Sequence, residues 1–430
     1  MFKTNRQVFW FALYDWGNSA FTTLVVTFIY AAYFERAIAP DPETGMVLWA
    51  HGITVTALAV ALLSPVLGAI ADQGNHRRLF LTVTTFACIA LTSWLTFIAP
   101  GRIYMALAVF VLANIAFEMG MVFYNSFLPD IAGPANIGRV SGFSWGMGYA
   151  GGLVCMALAL AGFVKTQNPW FGIPLEDGFN IRATCLLAAG WYLVFSLPFL
   201  LSVTERKNRS TAPDPARTGF LRRLASTFRV LLRYPHCLRF LAARLIYNDG
   251  LVTIIAFGGI YAHGTFGMDF DEIIMFGIVL NLAAGAGAFL FGLMDDKAGA
   301  RATVLVSLVA LTIASVIASA AQSAVWFWIA GIIIGIFLGP NQSASRSLMG
   351  RFTPPRHQAE FFGFFAFSGK VSSFLGPLAL ALVVRATGSQ RWGVSTVIIF
   401  FIIGGLLLLT VNEEQGRKAA QKAVEPAENP

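Results

Sequence analysis

The chain has 430 residues, of which 57% are hydrophobic and 12% are charged. Water-soluble domains carry about 25% charged residues, so this composition excludes an ordinary soluble fold and indicates an integral membrane protein. The formal net charge of +8 follows the membrane topology described below, and it gives no reason to expect a nucleic-acid partner.

Twelve apolar stretches are long enough to cross a bilayer, which takes about 20 mostly apolar residues. They are predicted to be helices because the runs are continuous and do not alternate in polarity over about ten residues. The predicted bounds are 8–34, 48–71, 79–99, 103–127, 140–162, 183–202, 238–262, 272–294, 302–320, 325–348, 360–384 and 393–411. The fold class is therefore all-α and integral to the membrane, with no room for a separate soluble domain.

The first stretch follows Lys3 and Arg6, as the apolar part of a signal peptide would. It is too long for a signal peptide and has no small-residue cleavage site, so we expect it to remain as a helix. Metals and cofactors are not expected, because the cysteines have no ligand spacing among them. These are Cys88, Cys155, Cys185 and Cys237.

Most of the 30 Lys and Arg residues lie in the tails and in the loops after even-numbered stretches. Short basic loops are retained on the cytoplasmic side, so both termini are predicted to be cytoplasmic. Residues 1–202 and 238–412 are predicted as six-helix bundles, joined by a cytoplasmic linker at 203–237 and followed by a disordered tail at 413–430. From Phe220 to Arg233 the linker has helical periodicity with interspersed arginines, which predicts a helix on the membrane surface. A solvated basic loop is the alternative.

One motif occurs twice, as GAIADQGNHR and GLMDDKAGAR, with the spacing Gly-x3-Asp-x4-Arg. Its residues are Gly68, Asp72 and Arg77 in the first copy, and Gly292, Asp296 and Arg301 in the second. Each copy lies at the end of the second long apolar stretch of its half, where a basic turn leads into the next stretch. Such a repeat predicts a duplicated helical bundle, as in many transporters.

The two halves, the long basic central loop and the repeated motif together resemble the major facilitator superfamily over residues 8–411. The resemblance implies two pseudo-symmetric bundles of six helices each. It also implies that Asp72 and Asp296 each cap a neighbouring helix and pair with arginine where the halves meet at the cytoplasmic side. The first copy departs from the family pattern, since Asn75 stands where the second copy keeps Gly299.

Four further segments resemble the branch that contains the autophagy-linked vacuolar amino-acid effluxer and its bacterial relatives. They are FALYDWGNSAF at 11–21, WGMGYAGG at 145–152, YNDG at 247–250 and FFGFFAFSGKVSSFLGPL at 361–378. This resemblance implies transport of a small solute, with amino acids as the best-attested cargo, and a location in a bacterial inner membrane.

Four charged residues lie deep within the apolar stretches, where an ionisable side chain costs about 2.5 to 3.5 kcal/mol on insertion scales. They are Asp15, Glu118, Asp249 and Lys370. With 1.5 Å rise per residue, all four lie roughly 12 to 15 Å from the cytoplasmic end, close to the midplane. Lys370 is too deep to reach the surface easily and needs an anionic partner, for which Asp249 is our first choice.

Helices 1, 4, 7 and 10 line the cavity in the resembled fold, and polar residues on these helices predict a site for solute or ion. The predicted members, with Lys370 added, are Asp15, Asn18, Asn114, Glu118, Asn125, Asn248, Asp249, Asn341 and Lys370. Predicted gating residues are Asp72, Arg77, Arg139, Arg244, Asp296, Arg301 and Arg346. The alternative is that these side chains only join helices through hydrogen bonds and ion pairs.

No Gly-x4-Gly-Lys-Ser/Thr motif occurs, so ATP use is not expected and the sequence predicts a secondary transporter. The expected partners are the lipid bilayer, a small zwitterionic or anionic solute and protons, with the protein acting as a monomer. Efflux of lipophilic or cationic compounds, or transport of an amphipathic lipid, is the alternative within transport. An enzyme is not expected, because the five histidines show no pairing. A membrane receptor or scaffold is the remaining class.

Overall fold

The computed structural model describes residues 5–205 and 220–422. Within these residues, 12 helices are long and apolar enough to cross a membrane. We number them span 1 to span 12, with the bounds Arg6–Ile38, Pro42–Gly74, Arg77–Leu95, Ile103–Ile131, Ile137–Val164, Glu176–Ser202, Pro235–Phe266, Asp271–Ala298, Ala300–Ala320, Ala324–Phe352, Gln358–Thr387 and Gln390–Leu409. The prediction of twelve membrane helices is therefore confirmed.

Span 1 is not a regular α-helix along its whole length. An α-helix at Asn5–Ala20 is followed by a π-helix at Phe21–Phe28, a short α-helix at Ile29–Tyr33 and a second π-helix at Phe34–Ile38. The first π-helix has the sequence FTTLVVTF, and its β-branched side chains crowd the preceding turn of an α-helix. These side chains lower the α-helix propensity of this segment.

Span 11 is interrupted at its middle. An α-helix at Gln358–Lys370 ends in turns at residues 371–374, and a second α-helix runs over Leu375–Thr387. Pro377 lies in the first turn of the second helix, where its missing N–H has no bonding role. The chain therefore re-enters helix halfway across the predicted membrane.

The remaining spans consist of the α-helices Pro42–Gly74, Arg77–Leu95, Ile103–Ser126, Leu128–Ile131, Ile137–Ala159, Phe179–Arg182, Thr184–Ser202, Pro235–Phe266, Phe270–Ala298, Ala300–Ala320, Ala324–Phe352 and Gln390–Leu409. Span 5 ends in a π-helix at Leu160–Val164, and two short 3-10 helices lie at Trp170–Gly172 and Glu176–Gly178.

The linker contains an amphipathic helix at Phe220–Leu232. Thr227 and Leu231 are buried, whereas Phe228 and Leu232 are exposed. The ring of Phe228 makes an edge contact with Phe364 of span 11 at 6.0 Å between centroids. Its position on a membrane surface stays a prediction, and residues 206–219 of the linker lie outside the described residues.

The segment after span 12 forms a helix at Glu413–Lys422, so the predicted disorder is wrong for these ten residues. Its first side chain, Glu413, accepts hydrogen bonds from the backbone N–H groups of Ala300 and Arg301 at 3.3 and 2.9 Å. Gly416 packs directly against the ring of Phe352. These long-range contacts stabilise a helix that its charged composition does not predict. Residues 423–430 lie outside the described residues.

The chain forms two compact units whose boundaries differ from those of the sequence halves. One contains the described residues of Met1–Leu62, Asn75–Tyr124 and Met147–Lys207. The other contains those of Leu63–Gly74, Asn125–Gly146 and Asn208–Pro430. The end of span 2 and the junction of spans 4 and 5 thus pack with spans 7 to 12. The predicted division into six-helix bundles stays a prediction.

The core of the first unit is built around Tyr14 of span 1. Its hydroxyl lies 2.8 Å from Oγ1 of Thr85 and 2.7 Å from the hydroxyl of Tyr192, and its ring stacks on Tyr124 at 4.5 Å between centroids. A buried phenol needs such partners, because an unpaired hydroxyl in an apolar interior costs free energy. The network joins spans 1, 3, 4 and 6.

In the second unit, spans 5 and 8 approach closely where both carry small residues. A Cβ atom on Gly142 would overlap the backbone carbonyl of Ala288. Small residues allow this approach between membrane helices. The contact places the start of span 5 beside the second copy of the repeated motif.

Candidate functional site

The first copy of the repeated motif ends against the start of span 11. The carboxylate of Asp72 accepts hydrogen bonds from the backbone N–H groups of Ala359 (3.0 Å) and Glu360 (2.9 Å). These donors have no partner within their own helix, and the helix dipole favours an anion at this end. Gly68 allows the approach, because a Cβ atom there would overlap the carbonyl of Ala359. Asp72 therefore caps the first helix of span 11.

The second copy of the motif caps the start of span 5 in the same way. The carboxylate of Asp296 accepts hydrogen bonds from the backbone N–H groups of Gly138 (2.8 Å) and Arg139 (3.2 Å). The Nε atom of Arg139 adds an ion pair at 2.7 Å. The side chain of Asp296 is 6% exposed and that of Arg139 is 49% exposed. We call the region around the capping contacts of Asp72 and Asp296 the motif side.

The departure of the first copy from the family pattern has a structural explanation. Asn75 has a φ of 51°, and Gly299 at the matching position has a φ of 94°. Both copies therefore need a residue with positive φ before the next helix. Asn tolerates the left-handed region better than other side chains do, so it can replace glycine here.

The arginines of the motif contact acidic residues that the sequence analysis did not select. Arg77 donates from its backbone N–H and from Nε to Glu205, at 3.0 and 3.2 Å. Arg301 donates its backbone N–H to Glu413 at 2.9 Å, while its guanidinium donates to the carbonyls of Leu408 and Leu409. Glu205 and Glu413 follow the last span of each half. A pattern search would have found them only by requiring an acid just after spans 6 and 12.

A second acidic residue of the repeat, Asp295, forms a buried ion pair with Arg351 of span 10 at 2.6 Å. The hydroxyl of Ser347 also donates to Asp295, and Arg351 contacts Glu413 at 3.0 Å. Removing one partner of such a pair would leave a charge in a poorly solvated place. Neither Asp295 nor Arg351 is among the site residues predicted from the sequence.

Arg346 of span 10 is the buried centre of another contact at the motif side. It is 1% exposed and donates to the hydroxyl and carbonyl of Ser141 at 2.9 and 2.7 Å. A further nitrogen donates to Oδ1 of Asn125 at 3.2 Å. The contact joins span 10 to the ends of spans 4 and 5, and it brings together two residues that the sequence analysis placed in different sets.

His357 adds a titratable group beside Asp72. Its Nδ1 atom lies 2.6 Å from Oε2 of Glu360, whose backbone N–H is capped by Asp72. Burial lowers the pKa of His357, but the hydrogen bond and charge of Glu360, together with the charge of Asp72, outweigh burial and raise it above its usual value. The nearby Arg356 opposes this shift. The motif side therefore contains a pH-sensitive ion pair.

Span 7 packs alongside the first helix of span 11 and contacts it through polar groups. Arg244 is buried and donates to the carbonyl of Phe365 (2.7 Å) and to the hydroxyl of Ser368 (2.9 Å). Its guanidinium also lies 3.7 Å from the centroid of the Phe365 ring. Asn248 donates to the carbonyl of Gly369 at 3.2 Å. These contacts lie within one unit and end at the interruption of span 11.

Asp249 has a different partner from the one that the sequence analysis expected. Its Oδ2 atom accepts a hydrogen bond from the backbone N–H of Gly376 at 2.8 Å, in the first turn of the second helix of span 11. Lys370, its expected partner, is the last residue of the first helix and is partly buried. In the described part of the chain, no ion pair links the two residues. Asp249 therefore caps a half-helix.

The other predicted site residues fall into two groups. In the first unit, Asn18 donates to Oδ1 of Asp15 at 3.1 Å and contacts the sulfur of Met121 at 3.5 Å. Asp15, Asn18 and Asn114 are buried, and Glu118 is partly buried. In the second unit, Asn341 is fully buried, and neither atom of its side-chain amide has a hydrogen-bond partner among the described residues. A buried amide without partners costs free energy unless water or a ligand forms hydrogen bonds with it.

The chain is similar in sequence and in fold to known membrane proteins. A profile of the family described as vacuole effluxer Atg22 like matches residues 42–421. The uncharacterized MFS-type transporter YxiO of Bacillus subtilis is 28% identical over 97% of both chains. Autophagy-related protein 22-1 of Neosartorya fischeri is 22% identical over 97% of this chain and 82% of its own length. The crystal structure of the human organic anion transporter MFSD10 (TETRAN) covers 94% of this chain and 98% of its own, with a TM-score of 0.73 and 15% identity.

Proposed function

The chain belongs to the vacuole effluxer Atg22-like family of the major facilitator superfamily, and on this premise we propose that it moves a small zwitterionic or anionic solute, such as an amino acid, across the membrane by alternating access. Its family and its structural neighbours are transporters. The interpretation of the chain as a membrane transporter rather than an enzyme is therefore confirmed. The cargo, the coupling ion and the direction are our proposals.

The observation that carries the proposal is the paired capping by Asp72 and Asp296. Each aspartate holds the start of a span through two backbone N–H groups, so the contact can be lost without unfolding the helix itself. N-terminal caps contribute about 1 kcal/mol each. Contacts of this size are suited to a transition between states that differ by a few kcal/mol.

Cargo recognition is assigned to polar residues of spans 7, 10 and 11. The amide of Asn341 offers one donor atom and one acceptor atom, which matches a cargo that carries both ammonium and carboxylate groups. Lys370 supplies a cation for the carboxylate, as a charge inside a membrane span generally serves an ionic path or cargo. Asn248 donates to the carbonyl of Gly369, so it holds the end of the first helix of span 11, where Lys370 lies.

Coupling to protons is assigned to Asp15 or Glu118 of spans 1 and 4. A carboxyl group in a low-dielectric site favours its neutral form, so it can bind a proton on one side of the membrane and release it on the other. The direction that we propose is efflux, in keeping with the description of the family. From the distribution of basic residues among the loops, we propose that the motif side lies in the cytoplasm.

A transport assay with purified protein in liposomes tests these assignments. Asp15→Asn and Glu118→Gln should retain exchange of labelled solute between equal pools, because exchange needs no net proton movement. The variant that removes the proton-carrying carboxylate should lose accumulation driven by a pH gradient. Lys370→Ala should lose both activities, because the cargo carboxylate has lost its partner.

The control is Asp271→Asn, which changes an exposed carboxylate and should leave both activities unchanged. Accumulation at the original level in both carboxamide variants would refute the proton assignment while leaving exchange as the mechanism. Undiminished exchange in Lys370→Ala would refute the cargo assignment.

A further inference from the structure

The interruption of span 11 brings together features that are typical of an ion site in a membrane protein. The first helix ends at Lys370 and the second begins at Leu375, so some backbone groups near residues 371–374 lose their regular helical partners. Irregular backbone at membrane depth is tolerated only where protein or a water-filled cavity surrounds it. In transporters, such half-helix ends bind ions and charged groups of the cargo.

Span 7 supplies a backbone carbonyl and two polar side chains that contact the residues around this interruption. The carbonyl of Leu245 accepts a hydrogen bond from the hydroxyl of Ser372 at 2.9 Å. Asn248 donates to the carbonyl of Gly369, and Asp249 accepts from the N–H of Gly376. Three successive polar contacts therefore fix span 7 against both sides of the break, and Asp249 is the acidic member.

One oxygen of Asp249 lacks a hydrogen-bond donor in the described part of the chain. The residue is 1% exposed, and its Oδ1 atom has no hydrogen-bond donor among residues 5–205 and 220–422. The neighbouring cations are Arg244, which is bonded to Phe365 and Ser368, and Lys370. Neither forms an ion pair with Asp249 within the described chain. A buried carboxylate with a single N–H donor remains poorly compensated.

The packing around Asp249 resembles that around Asp15, which provides an internal comparison. Ser19 donates its hydroxyl to the carbonyl of Asp15 at 2.8 Å, and Thr253 does the same to the carbonyl of Asp249 at 2.8 Å. A glycine packs beside each pair: Gly148 of span 5 and Gly376 of span 11. Asp15 additionally receives a side-chain donor, since Asn18 bonds its Oδ1 atom at 3.1 Å. Among the described residues, no side chain donates to Oδ1 of Asp249, which distinguishes the two sites.

We propose that Asp249 and the interrupted backbone of span 11 bind one small monovalent cation, either sodium or a proton, at the Oδ1 atom of Asp249. A sodium ion would share Oδ1 with backbone carbonyls of the interruption, whereas a proton would need Oδ1 alone. In both cases the bound cation neutralises the carboxylate. Neutralisation weakens the charge-assisted hydrogen bond to Gly376, so occupancy of the site alters the junction between span 7 and the second helix of span 11.

This inference goes beyond the proposed function, because a cation can occupy the site whether or not it drives cargo movement. Its test therefore uses ion-dependent stability of the purified full-length protein, with no cargo present. Melting temperatures are measured at fixed ionic strength while sodium replaces choline over roughly 1 to 100 mM, and separately at several pH values without sodium. Ligands that bind only the folded state raise the melting temperature by mass action.

Two patterns support the site. A sodium site predicts a rise of several degrees with sodium in the wild type, which Asp249→Asn abolishes and the control variant Asp271→Asn, at an exposed carboxylate, retains. A proton site predicts no response to sodium, together with a wild-type pH response that is reduced in Asp249→Asn. Asparagine can still accept the hydrogen bond of Gly376, so the variant removes the charge while preserving the cap.

Identical sodium and pH responses in wild type and Asp249→Asn would overturn the proposal. If the variant does not fold, the tryptophan fluorescence of the wild type is titrated with sodium and, separately, with acid. The absence of a saturable change in both titrations would equally overturn the proposal of a cation site at Asp249. If the wild-type protein bound sodium or a proton at Asp249 but transported no solute in liposomes, only the proposed function would be refuted.

Discussion

Replacing Asp296 with asparagine is the sharpest perturbation of the motif side. The side chain accepts two backbone N–H groups at the start of span 5 and one from the Nε atom of Arg139. Asparagine retains one acceptor oxygen but loses the second oxygen and the charge. Span 5 would keep its helix, because the change affects only its first donors. The contact between span 5 and span 8 should weaken.

The magnitude follows from the separate contributions. Loss of a good cap costs about 1 kcal/mol, and loss of an anion at a helix N-terminus about 0.5 kcal/mol. The ion pair contributes about 0.5 kcal/mol at most, because Arg139 is half exposed and solvent screens it. The sum of about 2 kcal/mol corresponds to a roughly 30-fold increase in the population in which the contact is open.

Alkylation of a buried cysteine measures this population. Ile137→Cys places a thiol in a buried position beside Gly350, in a background from which the four native cysteines have been removed. When opening is fast relative to alkylation, the rate is proportional to the open population. Asp296→Asn should raise the rate roughly 30-fold, while Arg139→Gln, which leaves the cap intact, should raise it only about twofold. Equal rates in Asp296→Asn and its parent would refute the capping argument.

Three further predictions follow from the same region. Asp72→Asn should raise alkylation of a cysteine at the start of span 11 by a similar factor and shift the transporter away from its outward-open state; unchanged accessibility on both sides would contradict this role. The ion pair of His357 and Glu360 should stabilise fully below the usual histidine pKa of about 6.5 and be lost as pH rises through the raised pKa of His357. Melting temperature should therefore fall across this range in the wild type, and a fall of equal size in His357→Gln would contradict the assignment. Arg346→Lys should lower stability by about 2 kcal/mol, because an ammonium cannot reproduce the guanidinium contacts with Ser141; a melting temperature equal to wild type would show that these contacts add nothing.

The sequence predicted the fold because membrane insertion leaves few alternatives. Every backbone polar group in the bilayer needs an internal partner, so an apolar stretch of sufficient length becomes a helix whatever its detailed contacts. Twelve such stretches and the duplicated motif therefore determined the number of spans. Apolar length carries no information on where a helix is interrupted, so it left the position of the break in span 11 undefined, although Pro377 predicts a kink or helix end nearby.

Prediction of individual partners was less successful, because these depend on residues far apart in the chain. Asp72 was predicted to cap a helix through the family resemblance, whereas its contact with residues 359 and 360 required the structure. Glu205 and Glu413 were missed for the same reason, since Glu205 lies in the polar linker and Glu413 begins the charged C-terminal segment. The pairing of Asp249 with Lys370 was inferred from equal depth alone. Depth leaves the rotation of each helix undefined, and the structure turns Asp249 towards Gly376.

We propose above that this protein couples the movement of a small zwitterionic or anionic solute to a proton gradient. The most direct measurement is uptake of a labelled panel of amino acids and related solutes into liposomes that contain the purified wild-type protein, with and without an imposed pH gradient. We expect at least one zwitterionic or anionic solute to accumulate above its external concentration, only when the gradient is present. Uptake equal to that of protein-free liposomes for the whole panel, or accumulation restricted to lipophilic cations, would contradict the claim.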